Sequence, residues 1–328
     1  MANSTQLKSL LQSHSDGNDE RFYAVALQVA AAEARKGHQR LADDLRKLIE
    51  QSRQQASSQP RISSGIVSVA QPLGDVAELL EQVPSTVKLS DLVLEDSLAK
   101  RVERVLREQQ NLSRLKENAL RPRQRLLFTG PPGCGKTITA SALAGELGLP
   151  LFVIRLDSLI SRFLGESLSK LRLIFEAIEA TRAVYLFDEF DSIGFTRDAG
   201  GEVAEMRRVL NSFLVFIEQL QGNSLIIAAT NYGPKLDKAL FRRFDDLIEF
   251  GLPDSAQVRK IIKRLLRNIA KERLQWKKID QAAAGLSYSE VTRACEESIK
   301  DMLIHEHDQV TNASLITALA ERRVYLNH

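Results

Sequence analysis

The chain has 328 residues, 44% of them apolar and 27% charged, with a formal net charge of +3. That is the composition of a globular protein of two or three domains, and so small a charge excess gives no argument for a nucleic-acid partner. No apolar run reaches membrane-spanning length, the polar start (Asn3, Ser4, Thr5, Gln6) lacks a signal-peptide core, and Cys134 and Cys295 form neither a disulfide framework nor a metal pattern, so a reducing, cytoplasmic setting is expected.

Residues 1–55 read as an N-terminal helical bundle. Leu7, Leu10 and Leu11 mark a first run, Phe22, Val25, Leu27 and Val29 a second, and Leu41, Leu45, Leu48 and Ile49 a third at helical spacing. Residues 56–78, rich in Ser and Gln with Pro60 and Gly65, read as a flexible linker. The stretch from Leu79 to Leu120 reads as helical, with a helix over Glu95–Gln110. Just before it, Leu92-Val93-Leu94 either packs against a purine base or simply fills core.

Beyond Gln124 short apolar runs alternate with helical ones. Strands are expected over Leu126–Thr129, Leu151–Arg155, Val184–Asp188, Leu225–Thr230 and Leu247–Phe250, and helices over Thr137–Leu147, Leu168–Ala180 and Val203–Leu220. Leu168, Leu171, Ile174, Phe175 and Ile178 share one helical face. This alternation predicts an α/β fold over 79–252, a phosphate-loop-type parallel sheet sandwiched by helices, whose ligands sit at the carboxyl ends of the strands. Residues 253–328 read as a small all-α lid, with Ser287-x-x-Glu290 as a capping box opening a helix to about Ile304 and a last helix over Asn312–Arg323.

Two stretches carry chemistry. Gly130-Pro131-Pro132-Gly133-Cys134-Gly135-Lys136-Thr137 fits G-x-x-x-x-G-K-[ST] without substitution, between an apolar strand and a helix that begins at Lys136. Its glycines let backbone N–H groups turn inward around phosphate oxygens, and the helix N-terminus adds its dipole beneath them. Lys136 is expected to reach the β- and γ-phosphates, Thr137 to bind Mg²⁺, and Gly130 through Ile138 to form the nucleotide-binding segment. Cys134 reads as a small tolerated side chain rather than a redox centre. The second stretch is the strand Val184–Phe187, which ends in Asp188-Glu189. Asp188 is expected to hold Mg²⁺ and Glu189 to polarise the attacking water as a general base, which together describe a nucleoside triphosphatase that uses Mg²⁺.

From about residue 88 to 300 the chain resembles the AAA family of ATPases, within the wider AAA+ group. Ser161-Arg162-Phe163-Leu164-Gly165-Glu166-Ser167 looks like the family's first pore loop, Asp188-Glu189-Phe190-Asp191-Ser192-Ile193 like its acidic box, Ala228-Ala229-Thr230-Asn231 like its first sensor, and Leu236 to Asp245 like its second region of homology. The resemblance implies that Asn231 contacts the attacking water or the γ-phosphate. It implies that Arg242 and Arg243 act as arginine fingers toward a neighbouring subunit, and that Phe163 and Leu164 line a central pore and grip polypeptide. Thr196 to Gly201 would be a second pore loop. The implied assembly is a homo-oligomeric ring, a hexamer, acting as a protein unfoldase or translocase, with residues 1–55 recruiting an adaptor, a substrate or a protease. The chain departs from the family in two places: the finger arginines are adjacent, and Ser287-Tyr288-Ser289-Glu290-Val291 stands where Ser-Gly-Ala-Asp-Leu is common. His305-Glu306-His307 lacks the spacing of H-E-x-x-H, so no zinc protease is read in the chain. Two other readings stay open, a nucleic-acid motor or loader and a slow nucleotide switch for a partner; without a basic stripe or bases-stacking aromatics, nucleic acid is the weaker.

Overall fold

Six strands carry the fold of the computed structural model, which describes residues 78–159, 166–191, 201–231 and 238–325. These lie in the second of two compact units, Val69–His328; the first, Met1–Ser68, is outside the described residues, and with it the expected bundle and nearly all of the linker. Phe163, Leu164 and residues 196–200 also lie outside them.

The strands are β1 (Leu80–Val83), β2 (Arg125–Thr129), β3 (Leu151–Ile154), β4 (Val184–Phe187), β5 (Leu225–Thr230) and β6 (Asp246–Glu249). They form one sheet in the order β1-β3-β4-β5-β2-β6. The five strands from β2 to β6 pair in parallel. β1 corrects the sequence reading: a helix was expected there, yet Leu80 to Val83 pair antiparallel with Ile154 to Leu151 at the sheet edge. Leu, Glu and Gln favour helix locally, but that preference is a few tenths of a kcal/mol per residue, and pairing with β3 plus burial of Leu79 and Leu80 outweighs it.

The apolar runs of β4 and β5 are buried along their whole length because helices cover both faces of the sheet. On one face, α5 (Glu166–Ala180) and α6 (Gly201–Gln219) bury Leu171, Ile174, Phe175, Phe213 and Ile217 against Phe152, Tyr185, Phe187 and Ile226. On the other, α1 (Asp96–Gln110) and α3 (Lys136–Leu147) bury Leu98, Val102, Ala140 and Leu143 against Leu126, Phe128, Leu186 and Ile227. Between these lie short α2 (Leu112–Glu117), α4 (Leu156–Leu159) and α7 (Lys238–Phe241).

A third core belongs to the helices after the sheet, α8 (Ser255–Leu265), α9 (Trp276–Ala283), α10 (Tyr288–Ile304) and α11 (Asn312–Tyr325). Asp254 and Gln257 form a reciprocal capping box that starts α8, a signal the sequence reading passed over. At α10 the expected box is only half made: Ser287 Oγ accepts from the Glu290 N–H at 3.3 Å. The Glu290 carboxylate instead faces Arg293 and Arg322.

Candidate functional site

The carboxyl ends of β2, β4 and β5 deliver their following residues to one cleft. After β2 the chain turns at Gly130 with φ +142°, where a β-carbon would stand 2.1 Å from the Phe250 carbonyl oxygen. Gly135 caps α3 in the left-handed conformation and supplies no side-chain acceptor. The first N–H groups of α3 are thereby left for an anion, as a phosphate cradle requires.

Lys136 is 7% exposed and its Nζ donates three hydrogen bonds, to Gly130 O at 2.8 Å, Pro131 O at 2.9 Å and Asn231 Oδ1 at 2.8 Å. Burial pulls this ammonium below its usual pKa; Cys134, Asp188 and Asp191 act in the opposite direction. Because Lys donates only, the Asn231 amide is oriented with its oxygen on Lys136 and its NH₂ as the remaining donor. The Asn231 backbone N–H is held in turn by Asp191 Oδ1 at 3.3 Å. Thr137 Oγ1 donates to Asp188 Oδ2 at 2.6 Å, so the two expected metal residues, which lie on different elements, are in direct contact.

Glu189 is exposed at the cleft with φ +49°, a left-handed conformation rare for a residue with a side chain. The strain persists because both neighbours are fixed. Glu189 N–H donates to Asp188 Oδ1 at 2.9 Å, while Phe190 is buried with its N–H on Ala229 O at 2.8 Å and its ring 4.8 Å from that of Phe213. This conformation keeps Glu189 at the cleft that also receives Asp188, Lys136, Thr137 and Asn231.

The two arginines part ways. Arg242 is exposed and does not line the cleft; Arg243 Nε lies 2.6 Å from Glu218 Oε1, an ion pair off the line of a directed hydrogen bond. Asp245, close by in the chain, accepts from the Gln124 and Arg125 backbone N–H groups at 2.9 Å each.

The sequence reading gave the lid no firm role, but the fold brings it onto the phosphate loop. Ser289 N–H donates to Gly133 O at 3.1 Å, and Tyr288, Ser289, Thr292 and Arg293 line the cleft. A β-carbon at Gly133, where φ is +73°, would fall 2.2 Å from Ser289 Oγ and 2.6 Å from Ser287 Oγ. Gly133→Ala is therefore expected to lower the melting temperature by about 2–8 °C, from roughly 1–2 kcal/mol of left-handed strain, as read by differential scanning calorimetry.

Beside the cleft lies a second cavity of about 300 Å³, walled by Leu92, Val93, Leu94, Ile138, Ile261 and Tyr288 among others. Val93 and Leu94 also pack against cores, so the two readings of Leu92-Val93-Leu94 are compatible. Burial raises the Tyr288 phenol to about 12 and pushes the Cys134 thiol up as well, although Lys136 partly counters the latter. A thiol held protonated is a poor nucleophile, in keeping with a passive Cys134.

No group of three or more His, Cys, Asp or Glu side chains among the described residues is placed to hold a metal. The Thr137 hydroxyl with the single Asp188 carboxylate fits Mg²⁺, which keeps its waters and takes the rest of its ligands from substrate phosphates.

A mostly parallel sheet flanked by helices, with a phosphate loop and an acidic pair at its carboxyl edge, defines a phosphate-loop nucleoside triphosphatase. Residues 126–252 match the family described as ATPase family associated with various cellular activities (AAA). An AAA family ATPase of Sinorhizobium fredii, y4kL, is 36% identical over 321 residues, spanning 98% of this chain and 96% of its own. The chain belongs to the AAA family of ATPases, and it is an ATP-hydrolysing enzyme. ATP-dependent zinc metalloproteases FtsH of Metamycoplasma arthritidis and Mycoplasmopsis synoviae are 34% and 31% identical over 58% and 73% of this chain, which spans 26% and 37% of those proteins. No helix among the described residues is long and apolar enough to cross a membrane.

Proposed function

We propose that this ATPase is a protein-remodelling motor that works as a ring, a hexamer, and draws polypeptide through a central pore. The observation that carries the reading is the division of the site: Lys136, Thr137, Asp188, Glu189 and Asn231 share one cleft, whereas Arg242 stands exposed and away from it. An exposed cation that does not serve its own cleft suits a neighbour's nucleotide. Likeness to the FtsH proteases, named as ATP-dependent, supports coupling of hydrolysis to work on protein; these 328 residues contain no H-E-x-x-H.

In this reading the Gly130–Ile138 segment binds the triphosphate, Thr137 and Asp188 hold Mg²⁺, and the adjoining cavity takes the base. Mg²⁺ when bound would neutralise phosphate charge and fix the leaving group. Glu189 draws a proton from the attacking water, Asn231 orients that water or the γ-phosphate through its NH₂, and Arg242 of one subunit stabilises the charge that develops in the next. Phe163 and Leu164 grip substrate by area and shape, which tolerates many sequences. Residues 1–55 recruit substrate, an adaptor or a protease, and the setting is cytoplasmic.

The test is Phe163→Ala, assayed for ATPase activity and for unfolding of a tagged fluorescent protein. ATP turnover is expected within about twofold of the parent and unfolding is expected to disappear. Retention of full unfolding activity would sink the threading mechanism.

A further inference from the structure

We propose that the outer face of α8 and α9 in the lid is a docking surface for an acidic segment of a partner protein. Residues 259–280 hold nine Lys and Arg against two acids, a local excess of seven in a chain whose whole excess is only three. Both acids are already committed: Asp280 pairs with the Arg259 guanidinium, and Glu272 accepts from the Asn312 backbone N–H and side-chain amide. Of the cations, Arg264 is held by Asp91 and Lys271 donates to backbone carbonyls. Lys260, Lys263, Arg267 and Lys277 are exposed and make no ion pair among the described residues. Positive charge is thus gathered on this face and left uncompensated by the fold.

The patch is separate from the nucleotide site. Ile261, Arg264 and Leu265 turn one face of α8 to the cavity beside the cleft, whereas Arg259, Lys263 and Arg267 follow one another at four-residue spacing along another face. Like charges at that spacing weaken a helix, so the row is a cost to the fold that arriving anions relieve. Beside the row stands Trp276 of α9, with the Arg259 guanidinium 5.6 Å and the Lys263 ammonium 5.4 Å from its ring centre. The ring is half-buried against the lid core and two cations lie over it, so it lacks the open face on which a nucleic-acid base stacks. A half-buried tryptophan framed by arginine is instead the composition on which protein partners anchor. Carboxylates of an acidic segment then meet the free Lys and Arg side chains in charge-assisted hydrogen bonds.

Trp276 is the chain's single tryptophan, so its emission reports on this face. The full chain is titrated with a labelled glutamate-rich peptide, followed by peptide anisotropy and Trp276 emission, beside single-stranded DNA of matching charge. The peptide is expected to bind saturably and to shift the emission, with an affinity that falls as salt rises. Lys260→Gln, Lys263→Gln and Arg267→Gln together are expected to weaken it about tenfold, with ATP turnover and sedimentation in ATP as in the parent. Lys100→Gln, Arg104→Gln and Arg107→Gln remove as many exposed cations from α1 and are expected to change peptide binding less than twofold. Absence of peptide binding, equal weakening in the two triple variants, or tighter binding of the DNA than of the peptide each overturns the proposal. So does altered sedimentation of the α8 variant, which would make this face a contact between copies of the chain.

Discussion

Glu189→Gln is expected to reduce ATP turnover by about 10²–10⁴-fold, the usual worth of a positioned general base, while ATP still binds. The substitution removes basicity and little else. Glu189 is exposed, and its left-handed backbone is held by Asp188 Oδ1 on its N–H and by buried Phe190 after it. Gln meets the same backbone demand with the same side-chain length, so the acidic turn should stay in place. Single-turnover hydrolysis beside equilibrium ATP binding checks this. The variant should also hold its ring and its substrate in ATP, which makes it the bait for capturing what the motor acts on. A variant that turns over at the parental rate would mean that the water is activated by another group.

Arg242→Ala is expected to lower turnover by about 10³–10⁵-fold, roughly 4–7 kcal/mol of transition-state stabilisation, with ATP affinity little changed. Arg243→Ala should do far less to catalysis, because Arg243 is already engaged with Glu218. Its loss is a matter of about 0.2–1 kcal/mol of stability. The contrast is the informative part. If a finger acts between subunits, mixing Arg242→Ala with Glu189→Gln subunits should rebuild sites in which an intact Arg242 faces an intact Glu189, and activity should return. Equal losses in the two arginine variants, or no recovery on mixing, would remove Arg242 from that role.

The nucleotide site was legible in the sequence to the extent that its parts are local. Gly130 to Thr137 is one uninterrupted run whose residue types and spacing are dictated by phosphate geometry, and Asp188-Glu189 sits at the end of a short apolar run that reads as, and is, a buried strand. The helix faces were legible for the same reason: Leu171, Ile174, Phe175 and Ile178 recur at the helical period and are buried together. What was missed depends on partners distant in the chain. Leu80–Val83 forms a strand because Leu151–Ile154 offers it an edge, and nothing within those four residues announces that. The Glu290 half of the predicted capping box was lost because Arg293 and Arg322 compete for the same carboxylate.

The sequence by itself determined that this chain binds and hydrolyses a nucleotide, and on which strands and loop. The phosphate loop and the acidic pair are each short contiguous runs, so their residue types and spacing survive as a pattern. Only the tertiary structure decided that the lid touches the loop through Ser289 and Gly133, and that Arg243 is paired with Glu218 while Arg242 stands exposed. It also decided that Lys136 and Asn231, and Thr137 and Asp188, meet at hydrogen-bond distance. Each of these joins residues far apart in the chain, and such contacts are set by how helices and sheet pack rather than by any period along the sequence.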